Sequence, residues 1–480
     1  MINTKCKKFK GEIENYLRNS QNQFECKIDR LFTSLKIKTW LCRTNIIKKD
    51  GYPASHLFFV LFMLPLLKLN NIHCFCSKGW KQWSHSGKDA FYRFKQNAFR
   101  WRSFVYKFLA ELFKKHTAIK GQQFFVIDDT VLPKRGKHIE NVSFIYDHCL
   151  GRSVLGYCLV KLGLLSQNGY YPLDFSFWFS STRHSKSPAP VIGDPRSISG
   201  RRSFEAANST KLELALEMLK RAIDCGFSAD YVLFDSWYAW PSLIGAIRDI
   251  KNGPHVICRL KDSKTLFVYQ GKKYRLSALY QKVKGQLHKS KRTGLLIKRV
   301  TVKMPGSDKP VIIVFAKGYS EPETETIKGK KQEPKPEWVA FLSTDDRLQA
   351  ATIIKHYTKR WATEVCFKEC KQLMSLGKDH SQNFDAQVFA ATISFLRYAV
   401  LSYLNEAENT GSKGILFEHL ADEAAQITYV QRLWQFFRAL FATSFSKIFE
   451  LFEIEEEFQS YFYALEQAVV DFIPALGCET

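Results

Sequence analysis

Residues 121–130 read Gly-Gln-Gln-Phe-Phe-Val-Ile-Asp-Asp-Thr, and residues 230–236 read Asp-Tyr-Val-Leu-Phe-Asp-Ser. Each holds a short unbroken apolar run, Phe124–Ile127 and Tyr231–Phe234, with the length and residue types of a buried strand, and each run gives way to acid. In an open α/β sheet, ligands bind in the crevice beyond the carboxyl ends of the strands, so these acids stand where chemistry is expected. Neighbouring strand residues point to opposite faces, so only one of Asp128 and Asp129 shares a crevice face with Asp235. An Asp after a strand also serves simply to cap a turn. The two runs therefore set an α/β class without setting a site.

Working outward, strand-like segments follow at 153–166 and 171–179, then a polar loop rich in Ser, Pro, Gly and Arg over 180–205. Asn208 to Cys225 has helical periodicity, with Leu212, Ala215, Leu216 and Leu219 on one face, and a second helix is expected over 239–250. From Pro254 to Thr344 the texture is β-rich and basic, with strand candidates at 255–260, 265–269, 295–303, 311–316 and 338–342 and an exposed charged loop over 318–337. Helical pattern resumes at Arg347 and continues through 380–480, with acid around Glu450–Glu457. Residues 1–120 are helical and basic, and Lys78–Arg102 interleaves cations with Trp80, Trp83, Phe91, Tyr92, Phe94, Phe99 and Trp101. That mixture suits DNA phosphates, but it also suits an ordinary helical domain with a solvated cationic face.

The 480 residues include 71 Lys and Arg against 46 Asp and Glu, a net charge of +25. A surplus of that size attracts a polyanion, most commonly nucleic acid. The polar, cationic Met1–Lys10 has no apolar segment behind it, so a secretory signal is not expected. The longest apolar run, Leu57–Leu67, is broken by Pro65 and too short for a bilayer, and it reads as a buried helix. The twelve cysteines form no C-x-x-C pair. Cys74 and Cys76 beside His73 lack the spacing of a common zinc module, so buried thiols in a reducing cytoplasm are the expectation.

The third chemical element is His356–Lys371, HYTKRWATEVCFKECK. Tyr357, Arg360, Glu364 and Lys371 lie at helical spacing, so one face presents a phenol, a guanidinium, a carboxylate and an amine, with Lys368 on the same face. Ile354, Trp361 and Val365 form an adjoining apolar stripe. By itself this is equally an amphipathic face on which Arg360 and Glu364 pair at i, i+4. Lys134, Arg135 and Lys137 flank Gly136 just beyond the first acid pair. They read either as a phosphate-contacting loop or as an exposed basic one. Arg183, His184, Lys186, Arg201 and Arg202 are weaker candidates of the same kind.

The segment 356–371 is similar to the Y-x2-R-x3-E-x6-K signature of bacterial insertion-sequence transposases of the DDE class, the insertion-sequence-four-like family, and all four positions match. Ile127-Asp128-Asp129-Thr130 resembles that family's first-Asp strand, in which the Asp before Thr is the metal ligand, and Phe234-Asp235-Ser236-Trp237 resembles its second-Asp region. The resemblance runs over roughly 121–380. It implies a ribonuclease-H-like core with a β-rich insertion. The expected organisation is a helical DNA-binding domain over 1–120, the catalytic core over 121–253 and 345–380, the insertion over 254–344, and a helical C-terminal region over 381–480 that contributes to dimer contacts.

The same resemblance implies Asp129, Asp235 and Glu364 as catalytic carboxylates holding two Mg²⁺ ions, with Mn²⁺ able to substitute. It implies Tyr357, Arg360, Lys368 and Lys371 as phosphate contacts, and Trp338 either as a stacking partner for a flipped base or as an ordinary core Trp. The expected partner is double-stranded DNA, the terminal inverted repeats and the target, gripped by a homodimer without membrane involvement. The expected reaction is cleavage and strand transfer through a hairpin end. A metal-dependent nuclease that does not join, and a DNA-binding relative without activity, are the competing readings.

Overall fold

The computed structural model describes residues 26–69, 71–77, 83–84, 86–115, 121–136, 138–147, 150–167, 169–180, 191–319, 337–429, 433 and 437. The chain divides into two compact units, one formed by residues 96–409 and one by both flanks, up to 95 and from 410. These boundaries differ from the expected 120 and 380 because two helices outside those limits, Trp101–Lys115 and Phe384–Glu408, pack on the central sheet.

In the larger unit the elements run α1 (Trp101–Lys115), β1 (Phe124–Pro133), β2 (Ser143–Asp147), β3 (Arg152–Ser166), β4 (Gly169–Trp178), α2 (Ile198–Asn208), α3 (Lys211–Asp224), β5 (Tyr231–Phe234), α4 (Pro241–Arg248), β6 (His255–Leu260), β7 (Phe267–Tyr269) and β8 (Lys272–Tyr274). They continue through α5 (Leu276–Val283), β9 (His288–Lys289), β10 (Leu296–Lys303), β11 (Pro310–Lys317), β12 (Trp338–Ser343), α6 (Ala350–Thr358), α7 (Trp361–Gln372) and α8 (Phe384–Glu408). All the strands join one sheet in the order β2-β3-β1-β5-β6-β12-β11-β10-β7-β8, with β4 also paired to β3 and β9 to β10. β1 is antiparallel to β3 and parallel to β5, and β5 is parallel to β6.

The apolar run 124–127 does not end at the acid pair, as the sequence suggested. β1 continues to Pro133 because β3 pairs with it from Phe124↔Leu165 to Pro133↔Gly156. Gly156 of β3 permits this close fit to β1, and Gly163 makes room for a β4 side chain. A Cβ at Gly156 would lie 2.3 Å from the Leu132 carbonyl oxygen, and one at Gly163 would fall on the Tyr170 ring. The expected loop over 180–205 is also shorter. Ser197 caps α2 by accepting from the Gly200 N–H, and a Thr210–Glu213 capping box opens α3, so two helices stand where one was read. The β-rich stretch 254–344 is not a separate body, since β6 and β12 are hydrogen-bonded rungs in the middle of the same sheet.

α8 is the one helix among the described residues long and apolar enough to cross a membrane, and its apolar length is instead buried on β4, α1 and α7. That burial removes 384–408 from the surface expected to serve dimer contacts. In the smaller unit, Ala54–Met63 is a buried helix, as its sequence implied, and Phe32 packs against Phe58 and Phe62. The two flanks are joined there by Trp83 Nε1 donating to Thr428 Oγ1 at 2.8 Å and the Lys27 N–H donating to Glu423 at 2.9 Å. Met1–Lys10, Trp80 and Glu450–Glu457 lie outside the described residues.

Candidate active site

The parallel ladder between β1 and β5 pairs Phe124 with Tyr231, Phe125 with Val232 and Val126 with Leu233, and stops. Beyond that point β1 keeps only β3, which leaves a notch on its β5 side. Asp235 leads out of β5 into this notch. Carried two residues further, the same register sets Asp235 level with Asp128. Both belong to the face that carries Phe124 and Tyr231, whose rings stack at 5.6 Å. α6 covers that face, with the His356 ring 5.0 Å from Phe124 and 5.2 Å from Tyr231.

The signature is not one continuous helix. The chain breaks at Lys359 and Arg360, between α6 and α7, and Arg360 takes the N-cap position of α7. From that break its guanidinium forks. Nη1 donates to Asp128 Oδ2 at 3.0 Å and Nη2 to Glu364 Oε1 at 2.6 Å. The i, i+4 pair is therefore real, but Asp128 is drawn into it from the sheet. Glu364 keeps about a quarter of its side chain exposed, against 7% for Arg360. Burial pushes the Asp128 carboxyl up to about 8. Arg360 opposes that rise, and Asp235, Asp129 and Glu364 add to it. Burial also raises Asp235, against Arg360 and the Trp237 N–H, which donates to Asp235 Oδ1 at 2.9 Å.

Asp129 points to the other face. Its Oδ1 accepts from the Tyr238 hydroxyl at 2.8 Å, and its Oδ2 accepts from Lys211 Nζ at 2.9 Å and Cys158 Sγ at 3.2 Å. Lys211 opens α3, and its ammonium lies 4.9 Å from the Trp178 ring centroid and 4.7 Å from that of Trp237. Burial, with Asp129 close by, holds the Tyr238 hydroxyl and the Cys158 thiol well above their ordinary ranges, so both remain protonated donors.

The remaining sequence candidates are scattered in role. Lys371 donates to Thr130 Oγ1 at 2.8 Å and to the Val131 carbonyl at 3.2 Å, which clamps α7 to β1. Tyr357 is buried, 4.9 Å from the Phe341 ring, with the Arg360 guanidinium carbon 5.7 Å from its centroid. Lys368 is exposed on α7. Lys134 is buried, and its ammonium holds the Gly377 and Asp379 carbonyls, whereas Arg135 is exposed. Lys137, Arg183, His184 and Lys186 lie outside the described residues. Arg201 is exposed, and Arg202 pairs with Asp385 at 2.7 Å. Trp338 stacks on Tyr280 at 4.5 Å and 16°. Cys74 and Cys76 are free thiols.

Sequence reasoning passed over Lys211, Tyr238 and Lys161. Lys161 sits directly across from Asp128 in β3, fully buried, with its ammonium 3.8 Å from the Phe367 ring centroid. The signal for Lys161 was a single charge inside the otherwise apolar stretch 154–165 of β3. Lys211 and Tyr238 carried none, since each is ordinary for a helix start or a turn.

Asp128, Asp235 and Glu364 are the groups that could hold a metal. Among the described residues no three His, Cys, Asp or Glu are already gathered into a cage. The donor set nevertheless fits a hard divalent cation. It consists of carboxylate oxygens only, with Asp128 raised to about 8 by burial and, to a lesser degree, by the neighbouring carboxylates, against the guanidinium of Arg360.

Two domain families match this chain, "DDE superfamily endonuclease" over residues 81–290 and "Transposase DDE domain" over residues 202–399. No curated protein matches it. Among solved structures it is similar to piggyBac transposase in the cryo-EM structure of its synaptic complex with hairpin DNA, at 12% identity and a TM-score of 0.45, covering 84% of this chain and 79% of that one. The overlap of the two family matches takes in Asp235, the first reaches back over Asp128, and the second reaches forward over Glu364. Between them, the two matches make residues 81–399 similar to DDE domains of endonucleases and transposases.

Proposed function

We propose that this protein is a cut-and-paste DNA transposase whose active carboxylates are Asp128, Asp235 and Glu364. The observation that carries this reading is the Arg360 fork, which ties a sheet carboxylate to a helix carboxylate on the face that Asp235 enters. The family resemblance selects Asp129 by its place before Thr130. We take Asp128 instead, because Asp129 is occupied from the opposite face by Tyr238, Lys211 and Cys158. The order β4-β3-β1-β5-β6, two antiparallel ladders followed by two parallel ones, supports a ribonuclease-H-like core, with β7 to β12 as the insertion built onto its edge.

Two divalent cations, Mg²⁺ or Mn²⁺, held by these oxygens would activate the attacking oxygen and stabilise the leaving one at phosphorus. Arg360, which now bridges Asp128 and Glu364, would be free to hold a phosphate in bidentate fashion when cations occupy those oxygens. Lys368 and Arg135, both exposed, add positive charge for the backbone. Lys371 and Tyr357 act by holding α7 and Arg360 in place. The reaction is attack by water to free a 3′-OH, attack of that hydroxyl on the opposite strand to close a hairpin, reopening, and joining to target DNA. It is performed by two copies on two paired ends, on the nucleoid of a bacterial cell.

The test is to incubate the protein with Mg²⁺, a target plasmid and DNA bearing its element's terminal repeats. Cleavage followed by joining is expected. Cleavage without joining identifies a nuclease, and binding without cleavage identifies an inactive relative. Normal cutting by Asp235→Ala would overturn the site.

A further inference from the structure

Lys161 lies opposite Asp128 in the β1–β3 ladder, and residues paired across a ladder put their side chains on the same face. Its side chain runs beneath α7. The ammonium stands 3.8 Å from the Phe367 ring centroid and 4.8 Å from that of Tyr170, and it donates to the Thr363 carbonyl at 3.4 Å. Tyr170 of β4 reaches the same residue, its hydroxyl donating to Thr363 Oγ1 at 2.9 Å. Gly163 lets it through, since a Cβ there would fall on the Tyr170 hydroxyl. All three residues are buried, Lys161 and Thr363 completely. A buried ammonium and a buried phenol are costly to place, and here both are spent on one residue. That residue precedes Glu364, and its N–H bonds the Arg360 carbonyl at 3.0 Å.

The turn 360–364 is thus held from two sides. On one, the Arg360 fork ties it to Asp128 and Glu364. On the other, Lys161 and Tyr170 tie Thr363 to β3 and β4. The first tie uses oxygens that cations would take, and the second uses none of them. We propose that Lys161 and Tyr170 are positioning residues for the metal ligands: through Thr363 they hold Glu364 toward Asp128 and Asp235 once Arg360 no longer bridges those carboxylates. Without them Glu364 would have to be ordered as a cation binds, and the cost of that ordering comes out of the affinity. The inference rests on the proposed function, and its test tells the two apart.

The experiment titrates the DNA-free protein with Mn²⁺ and reads the free ion by electron paramagnetic resonance, with a urea midpoint taken on each variant. Tyr170→Phe removes one hydroxyl and keeps the ring, and Thr363→Val removes the acceptor while keeping the shape. Each should weaken Mn²⁺ binding on the order of tenfold, the lower end of the range for losing a group that orients a metal ligand. The two together should weaken it no further, because they delete the same bond. Thr363→Ser, which keeps the hydroxyl, should bind as the wild type does. Lys161→Met keeps the stem beneath the rings and should also weaken binding about tenfold. Should that variant fail to fold, the loss of one hydroxyl at Tyr170 still decides. A merely structural lock would lower the urea midpoint and leave the affinities alone, and that result overturns the proposal. So does a Thr363→Ser chain that loses as much affinity as Thr363→Val. Glu364→Gln is the reference. If it weakens Mn²⁺ binding and the other variants do not, only the positioning role falls. If it binds Mn²⁺ as the wild type does, the carboxylate assignment of the proposed function falls, and the positioning role with it.

Discussion

Asp128 and Asp129 are chain neighbours with opposite surroundings. On one face of β1, Asp128 sits among carboxylates with a single guanidinium to balance them, and burial raises it to about 8. On the other face, Asp129 is fully spoken for by a lysine, a phenol and a thiol, all of them hydrogen-bond donors. Asp128, held by the Asp129 N–H and a guanidinium it shares with Glu364, can exchange that guanidinium for a cation, while an acid supplied with three side-chain donors braces the scaffold. The two differ by one step of strand alternation. The largest effect that could break this contrast is on cleavage. Asp128→Asn should lower the rate on the order of 10²–10³-fold, the usual range for losing a group that acts on the transition state. Asp129→Asn should cost far less, since an amide oxygen still accepts from Tyr238. Single-turnover cleavage of terminal-repeat DNA decides it, and equal losses, or the reverse order, would return the ligand role to Asp129.

Stability sharpens the same comparison. Lys211→Met leaves the Asp129 carboxylate with only neutral donors at a site where the two side chains are 12% and 21% exposed. An unpaired, mostly buried charge should cost about 1–3 kcal/mol, read as a drop in the urea midpoint. Added Mg²⁺ should not restore it. Arg360→Gln should also lower the midpoint, by about 1–2 kcal/mol, because Asp128 and Glu364 lose their shared donor. Here millimolar Mg²⁺ should recover more stability than it adds to the wild type, since binding to the folded state alone stabilises it. If Mg²⁺ rescues Lys211→Met instead, the two faces have been assigned the wrong way round.

How much of this was legible in the sequence follows from which interactions are local. The strands β1, β3, β4, β5 and β6 could be read from their apolar runs, and the helix carrying Glu364 from its periodicity, because period and residue type are properties of short stretches. The length of β1 could not. The run Asp128-Asp129-Thr130 looks like a strand end, and it stays extended because β3, which Gly156 lets come close to Leu132, pairs along it. The choice between Asp128 and Asp129 depends on the β1–β5 register, which joins residues a hundred positions apart. Lys134 shows the opposite failure. A cation beside a glycine reads as a phosphate contact, yet its ammonium is spent on the carbonyls of Gly377 and Asp379, far along the chain.

The smallest expected effect is a titration on the Asp128 face, away from the carboxylates. His356 is buried between Phe124 and Tyr231, neither ring nitrogen has a hydrogen-bond partner, and Lys359 and Lys355 lie nearby with Asp230 opposing them. Burial, helped by the two lysines, lowers it from 6.5 to about 4. Because the folded-state value is the lower one, the unfolded chain binds the extra proton. Stability is therefore fully present above about 6.5 and is lost as pH falls from there toward 4. His356→Phe keeps the aromatic packing and removes the proton. Between pH 6.5 and 5 the wild type should lose about 1 kcal/mol more than this variant, after allowance for partial screening. Urea midpoints that fall in parallel for both chains would show that the ring is not held neutral. The packing of α6 on this face would then be looser than the stacked rings imply.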